Sequence, residues 1–183
     1  MISSLHVTDS RYRCPFSIIT SAHGLSKNEG AWSCSISIKE GFFFDKGSFK
    51  RRAGDPVVTH FANVTNKERL EPMLRNAQLA VLNPRKNPQQ FINADNDDEA
   101  QATLQVAFSP NIVCLEIKGP GLPELSFFDL PGTINVVGEE DDPNDQGLVQ
   151  RITKLVTTFL MDEKSLVLLA CGELVLAIEI VHS

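Results

Sequence analysis

The stretch from Leu125 to Cys171 constrains the fold most. An apolar run, Leu125 to Phe128, stops at Asp129 and leads through Leu130-Pro131-Gly132 into a polar, acidic loop from Thr133 to Gly147. Leu148, Ile152, Leu155, Val156, Phe159 and Leu160 then recur at the spacing of one helical face, with Gln150, Arg151, Lys154 and Thr158 on the other. Asp142-Pro143 supplies the acceptor and the proline that suit a helix start. Ser165 to Cys171 follows as a buried strand. Strand, loop, helix, strand is a βαβ unit, so the second half of the chain is expected to be α/β with parallel pairing.

Upstream, Phe16 to Thr20 is short, apolar and rich in β-branched residues, and reads as a strand. The polar segment Ser21 to Gly30, with two glycines, suggests a hairpin loop. Trp32, Cys34, Ile36 and Ile38 alternate with Ser33, Ser35, Ser37 and Lys39, the period of a half-buried strand. Phe42, Phe43 and Phe44 carry no assignment, and the basic run Lys50 to Arg52 reads as a solvated loop. Thr65-Asn66-Lys67-Glu68 matches a capping box, and Leu70, Met73, Leu74, Ala77 and Val81 fall at helical spacing behind it. Pro72 must then be the first helical residue or mark a kink. Asn83-Pro84 ends the helix, and Asn83 to Glu99 is a polar loop. Asn111 to Ile117 and Leu125 to Phe128, joined through the turn Gly119-Pro120-Gly121, read as an antiparallel hairpin with a long loop.

A chain of 183 residues, 42% hydrophobic and 22% charged, can build one domain with a real core. Its net charge of −6 argues against a broad nucleic-acid surface, which needs a basic face. Cys14, Cys34, Cys114 and Cys171 form no CxxC pair, which fits free thiols in a reducing compartment better than a zinc site or a disulfide framework. His6, His23, His60 and His182 are scattered and make no metal-binding pattern. Glu139, Glu140, Asp141, Asp142 and Asp145 lack the spacing of a Ca²⁺ loop and read as a solvated face. Met1 to Ser10 has neither the charge nor the apolar run of a signal peptide. Ser165 to Val181 is interrupted by Glu173 and Glu179, so buried strand is preferred over membrane span.

The residues with chemical meaning are Asp129, Leu130, Pro131 and Gly132, a DxxG at the carboxyl end of a strand. Ligands of open α/β sheets sit outside such ends. A carboxylate there can hold a water of a hydrated Mg²⁺, and a glycine three residues later leaves its amide free to approach a γ-phosphate. DxxG alone is weak, since with Gly at about 7% of average composition roughly one chance match is expected in a chain this long. The apolar strand before it, the helix and strand after it, and the inner Leu-Pro raise its weight.

Phe128-Asp129-Leu130-Pro131-Gly132 resembles the switch II motif of dynamin-like GTPases. Arg13-Cys14-Pro15, Trp32-Ser33-Cys34 and Ala77 to Pro84 resemble segments of fungal members, and Leu166 to Ala170 resembles the strand after the switch II helix. The resemblance covers residues 11–171, leaving 1–10 and 172–183 unmatched. It implies an α/β fold, an incomplete P-loop-GTPase-like mixed sheet flanked by helices. It implies GTP and Mg²⁺ as ligands, with Asp129 meeting the metal through water. For complete members it implies GTP hydrolysis, membrane remodelling or fission, self-association, and a membrane or microtubule as partner. The expected location is cytoplasmic, with peripheral membrane association. No nucleic-acid partner is expected.

The sequence also departs from the family. It contains no GxxxxGK[ST] and no Gly-Lys pair, the loop that cradles the β- and γ-phosphates. Thr-Lys-x-Asp and Asn-Lys-x-Asp, the guanine-reading motifs, are also missing. Tyr12 stands where the family's Mg²⁺-binding switch I threonine would align, and its ring-borne hydroxyl cannot replace it. Both ends break where family motifs should continue, so the chain is expected to be an internal fragment that does not bind GTP tightly alone. Two other readings are an interaction module that associates with full-length dynamin-like proteins, and a truncated product without function.

Overall fold

A computed structural model describes residues 14–22, 31–94, 104–131, 150, 153–159, 161, 167–171 and 174–178. The chain divides into two compact units, Met1–Pro131 and Gly132–Ser183. The first is built on a mixed five-stranded sheet. Its strands are β1 (Phe16–Ala22), β2 (Ser33–Glu40), β5 (Val57–Val64), β6 (Ile112–Gly119) and β7 (Leu125–Asp129), in the order β5-β2-β6-β1-β7. β3 (Phe42–Asp45) and β4 (Ser48–Arg51) form a separate antiparallel ladder. The helix α1 (Leu70–Val81) accompanies the sheet, which makes this unit α/β in character.

The alternation read in β2 is real: Cys34, Ile36 and Ile38 are buried. Across the ladder they meet Ile117, Leu115 and Val113 of β6, which in turn pair with Thr20, Ile18 and Phe16 of β1. One sheet face is therefore nearly continuous hydrocarbon. Leu70, Met73, Leu74, Ala77 and Val81 of α1 close over it, in the same cluster as Phe61 and Phe91. β5 breaks the simple alternation. Its register against β2 shifts between Ile36 and Ser37, leaving Phe61 as the extra residue, turned into the core at 2% exposure.

Two expected hairpins are not formed. β1 and β2 are not neighbours, because β6 lies between them, so Ser21 to Gly30 joins strands that do not pair. β6 and β7 are likewise separated by β1, parallel to β6 and antiparallel to β7. Phe16 and Thr20 of β1 are buried, which suits a place inside the sheet with a ladder neighbour on each side.

The basic run Lys50 to Arg52 is not a loop either, since Lys50 and Arg51 belong to β4 and face Phe43 and Phe42 across the ladder. Lys46 and Gly47 form its tip at φ of 46° and 82°, the left-handed pair that a tight hairpin turn needs. Asn111, 3% exposed, anchors the base of this hairpin. Its Oδ1 accepts from the Phe42 amide at 3.0 Å, and its Nδ2 donates to the Phe42 carbonyl at 3.0 Å.

The helix cap differs from the expected box. Asn66, not Thr65, is the capping residue, accepting from the Glu68 amide at 3.0 Å. It opens a 3₁₀ turn, Lys67–Arg69, that runs into α1. Pro72 lies in the first turn of α1, where a missing amide costs least. Asn83 closes the helix, its Nδ2 donating to Leu79 O at 2.8 Å. The polar loop beyond it contains a 3₁₀ turn, Pro88–Phe91. Asn76 fixes this loop to α1 by donating to Ile92 O and Ala94 O.

In the second unit, residues 153–159 are helical, with Leu155, Val156 and Phe159 half-buried and Thr153, Lys154, Thr157 and Thr158 exposed, the two faces expected. Within this unit, and among the described residues, β8 (Val167–Cys171) pairs antiparallel with β9 (Leu174–Ile178), Cys171 opposite Leu174, where only a parallel partner was expected from the sequence. Among the described residues, no helix is long and apolar enough to cross a membrane.

Candidate functional site

Asp129 is the last residue of β7, and its Cα partner is Phe16, the first residue of β1. The register is fixed at the other end of the pair. Thr20, 2% exposed, donates from Oγ1 to Pro123 O at 2.7 Å, holding the chain that enters β7 against β1. Gly121, at φ +70°, allows the preceding turn. Gly119 is needed for space, because a Cβ there would lie 3.1 Å from Cδ1 of Trp32.

Side chains alternate along β7, so Leu125, Phe127 and Asp129 share the face of Thr20, Ile18 and Phe16, the face that α1 covers. Asp129 therefore emerges where that layer ends. Its carboxylate keeps substantial contact with solvent, yet partial burial raises its pKa above the ordinary carboxylate value. Beneath it lies Cys14, 4% exposed, whose thiol is pushed up to about 12 by burial. A hydrogen bond from the Gln78 side chain of α1 opposes that shift, and the Asp129 charge adds to it. Gln78 and Cys14 stand in segments that carry the resemblance, but the sequence did not assign them to this site. The usable signal was Gln78 itself, a polar residue between Ala77 and Leu79 on a helix whose last turns are buried.

Leu130 and Pro131 continue from Asp129 as half-buried residues, so the structure keeps these three together at the strand end. Gly132 lies outside the described residues, as do Tyr12, the acidic run Glu139 to Asp145, and His6, His23 and His182. His60 is exposed on β5. Among the described residues, no group of three or more His, Cys, Asp or Glu could hold a metal ion. The donor set at Asp129 is thus one carboxylate facing water. It fits a contact to a hydrated Mg²⁺ through a water molecule and does not fit a cage built from protein ligands.

No family model matches the chain. A search of curated proteins finds the interferon-induced GTP-binding protein Mx of Siniperca chuatsi, 33% identical over 78 residues. The match takes in 40% of this chain but only 12% of the length of that protein. It supports a link to the dynamin-like superfamily at that coarse level.

Proposed function

We propose that this chain is part of a dynamin-like GTPase domain, with an incomplete P-loop-GTPase-like sheet, and that alone it does not bind GTP tightly. The observation that carries the reading is Asp129-Leu130-Pro131 at the carboxyl end of β7, the strand end at which the complete family's sheet would present its ligand-facing loops. In the complete family member Asp129 would hold a water of Mg²⁺, and the Gly132 amide would approach the γ-phosphate. Mg²⁺ would supply charge neutralisation of the phosphates. The guanine nucleotide, self-association, a membrane or microtubule partner and a cytoplasmic, membrane-peripheral location all belong to this reading. Weak affinity follows from the sequence, which has no phosphate loop, no lysine to reach the β- and γ-phosphates, and no guanine reader. Calorimetry of the purified chain with GTP and Mg²⁺ tests it. Heats indistinguishable from dilution are expected, and saturable micromolar binding lost in Asp129→Ala would overturn the claim of weak affinity.

A second reading, an interaction module for full-length dynamin-like proteins, has one specific support. Among the described residues β7 pairs only with β1, and its Leu125 and Phe128 are each 49% exposed. Such an edge can accept a strand from another chain. Co-purification with a full-length dynamin-like protein, weakened by Ser126→Pro on β7, is the expected result. A monomer that shows no exchange with that partner would sink it.

A further inference from the structure

The β3–β4 hairpin concentrates positive charge in an otherwise acidic chain. Lys46, Lys50, Arg51 and Arg52 lie on it or at its base. Arg85 joins them, its guanidinium 5.2 Å from the centre of the Phe44 ring, and Lys86 follows in sequence. The neighbouring carboxylates are few. Asp45 is held by Lys50 at 2.6 Å, and Glu40 and Asp55 flank the hairpin in sequence.

The aromatic residues are arranged with the cations. Phe44 meets Phe49 edge-on at 5.1 Å, on the ladder face that also carries Arg51. Phe43 occupies the opposite face beside Lys50, is 39% exposed, and has the Arg52 guanidinium 6.0 Å from its ring centre. Cations thus sit on both faces and, through Lys46, at the tip. The hairpin does not belong to the five-stranded sheet, and Asn111 together with the Arg52 amide bond to Gly41 O at 2.9 Å fixes its base.

We propose that this hairpin docks tip-first on an anionic phospholipid surface; this rests on the membrane partner of the reading above and assigns it a site, one that does not depend on nucleotide binding. A two-stranded ridge with cations on both faces and at its tip suits a layer of repeated phosphates better than one enclosed ligand. An exposed phenylalanine between cations suits the boundary between headgroups and acyl chains. The acidic remainder of the chain, with net charge −6, argues for a tip contact and against a long nucleic acid, which would extend beyond the hairpin.

Vesicle co-sedimentation of the full chain tests this. Phosphatidylserine-containing vesicles should bind it and pure phosphatidylcholine vesicles should not, with binding weakened by salt. Each cation contributes about fivefold near such a surface, so Lys46→Glu with Arg51→Glu should weaken binding by at least about 25-fold. Phe43→Ser should weaken it less, without removing the salt dependence. Hydrogen exchange of the unmodified protein on the same vesicles should show new protection at residues 42–52 and 85–86, a readout that needs no variant. Equal binding to both vesicle types, protection confined to other segments, or full binding by the double variant would overturn the proposal. So would an oligonucleotide that binds at the hairpin while phosphatidylserine vesicles do not.

Discussion

Replacing Asn111 by alanine removes both hydrogen bonds that hold Phe42 at the base of the β3–β4 hairpin. Each bond is worth about 0.5–1.5 kcal/mol net, and the partly buried amide and carbonyl of Phe42 lose their partner together, so the expected loss is about 2 kcal/mol. Against a total stability of about 5–15 kcal/mol that is a large fraction. With a urea slope of about 1–3 kcal/mol/M, the unfolding midpoint should fall by roughly 1 M. Trp32, the single tryptophan, packs against the core and gives the fluorescence signal. Amide exchange at Phe42 gives the local one and should accelerate more than exchange at Ile36 or Leu115. An unchanged midpoint with Phe42 still fully protected would refute the claim that Asn111 clamps the hairpin.

Leu115, 2% exposed on β6 inside the sheet, should cost about 2–5 kcal/mol when cut to alanine, read by the same unfolding curve. A loss below about 1 kcal/mol would mean the site is not packed as described. Burial raises the Asp129 pKa, so its contribution is full below the unfolded-state pKa and is lost as pH rises through the folded one. Asp129→Asn should therefore be the more stable protein at neutral pH, with the gap closing in acid. A gap that is constant with pH, or reversed, counts against this. Cys14 and Cys34 are both pushed from 9.0 to about 12 by burial, so stability should decline as pH climbs from about 9 towards 12. Replacing both by alanine should flatten that decline, and an unchanged alkaline slope would show that other groups cause it.

The elements legible in the sequence were those with one buried face and one wet one. Cys34, Ile36 and Ile38 announced β2, and Leu70 to Val81 announced α1, because burial on one side writes a period into the chain. β5 wrote none, since the bulge at Phe61 breaks its period and Val57 and Val58 are exposed. β3 and β4 escaped for the opposite reason: a free-standing hairpin stabilised by ring and guanidinium contacts looks like a basic loop. Neighbours were less legible than strands. Both expected hairpins rested on closeness along the chain, while the order β5-β2-β6-β1-β7 is set by which strands share the hydrocarbon face. At the candidate site, Asp129 could be read from its motif. Cys14 and Gln78 could not, because their meeting depends on the segment before β1 coming against α1 in three dimensions.

The interior position of β1, between β6 and β7, has a consequence for how the chain is made. Both of its ladder neighbours, β6 and β7, are encoded on the order of 100 residues later, so its pairing is among the most non-local in the fold. At about 5–20 residues per second, translation leaves Phe16 to Ala22 outside the ribosome for roughly 5–20 s before Asp129 emerges. During that interval a β-prone, uncharged segment has two open edges and nothing native to pair with. A nascent chain that stalls before Ile112 would expose this strand to its neighbours on the polysome, which makes synthesis the stage at which this protein most needs a chaperone.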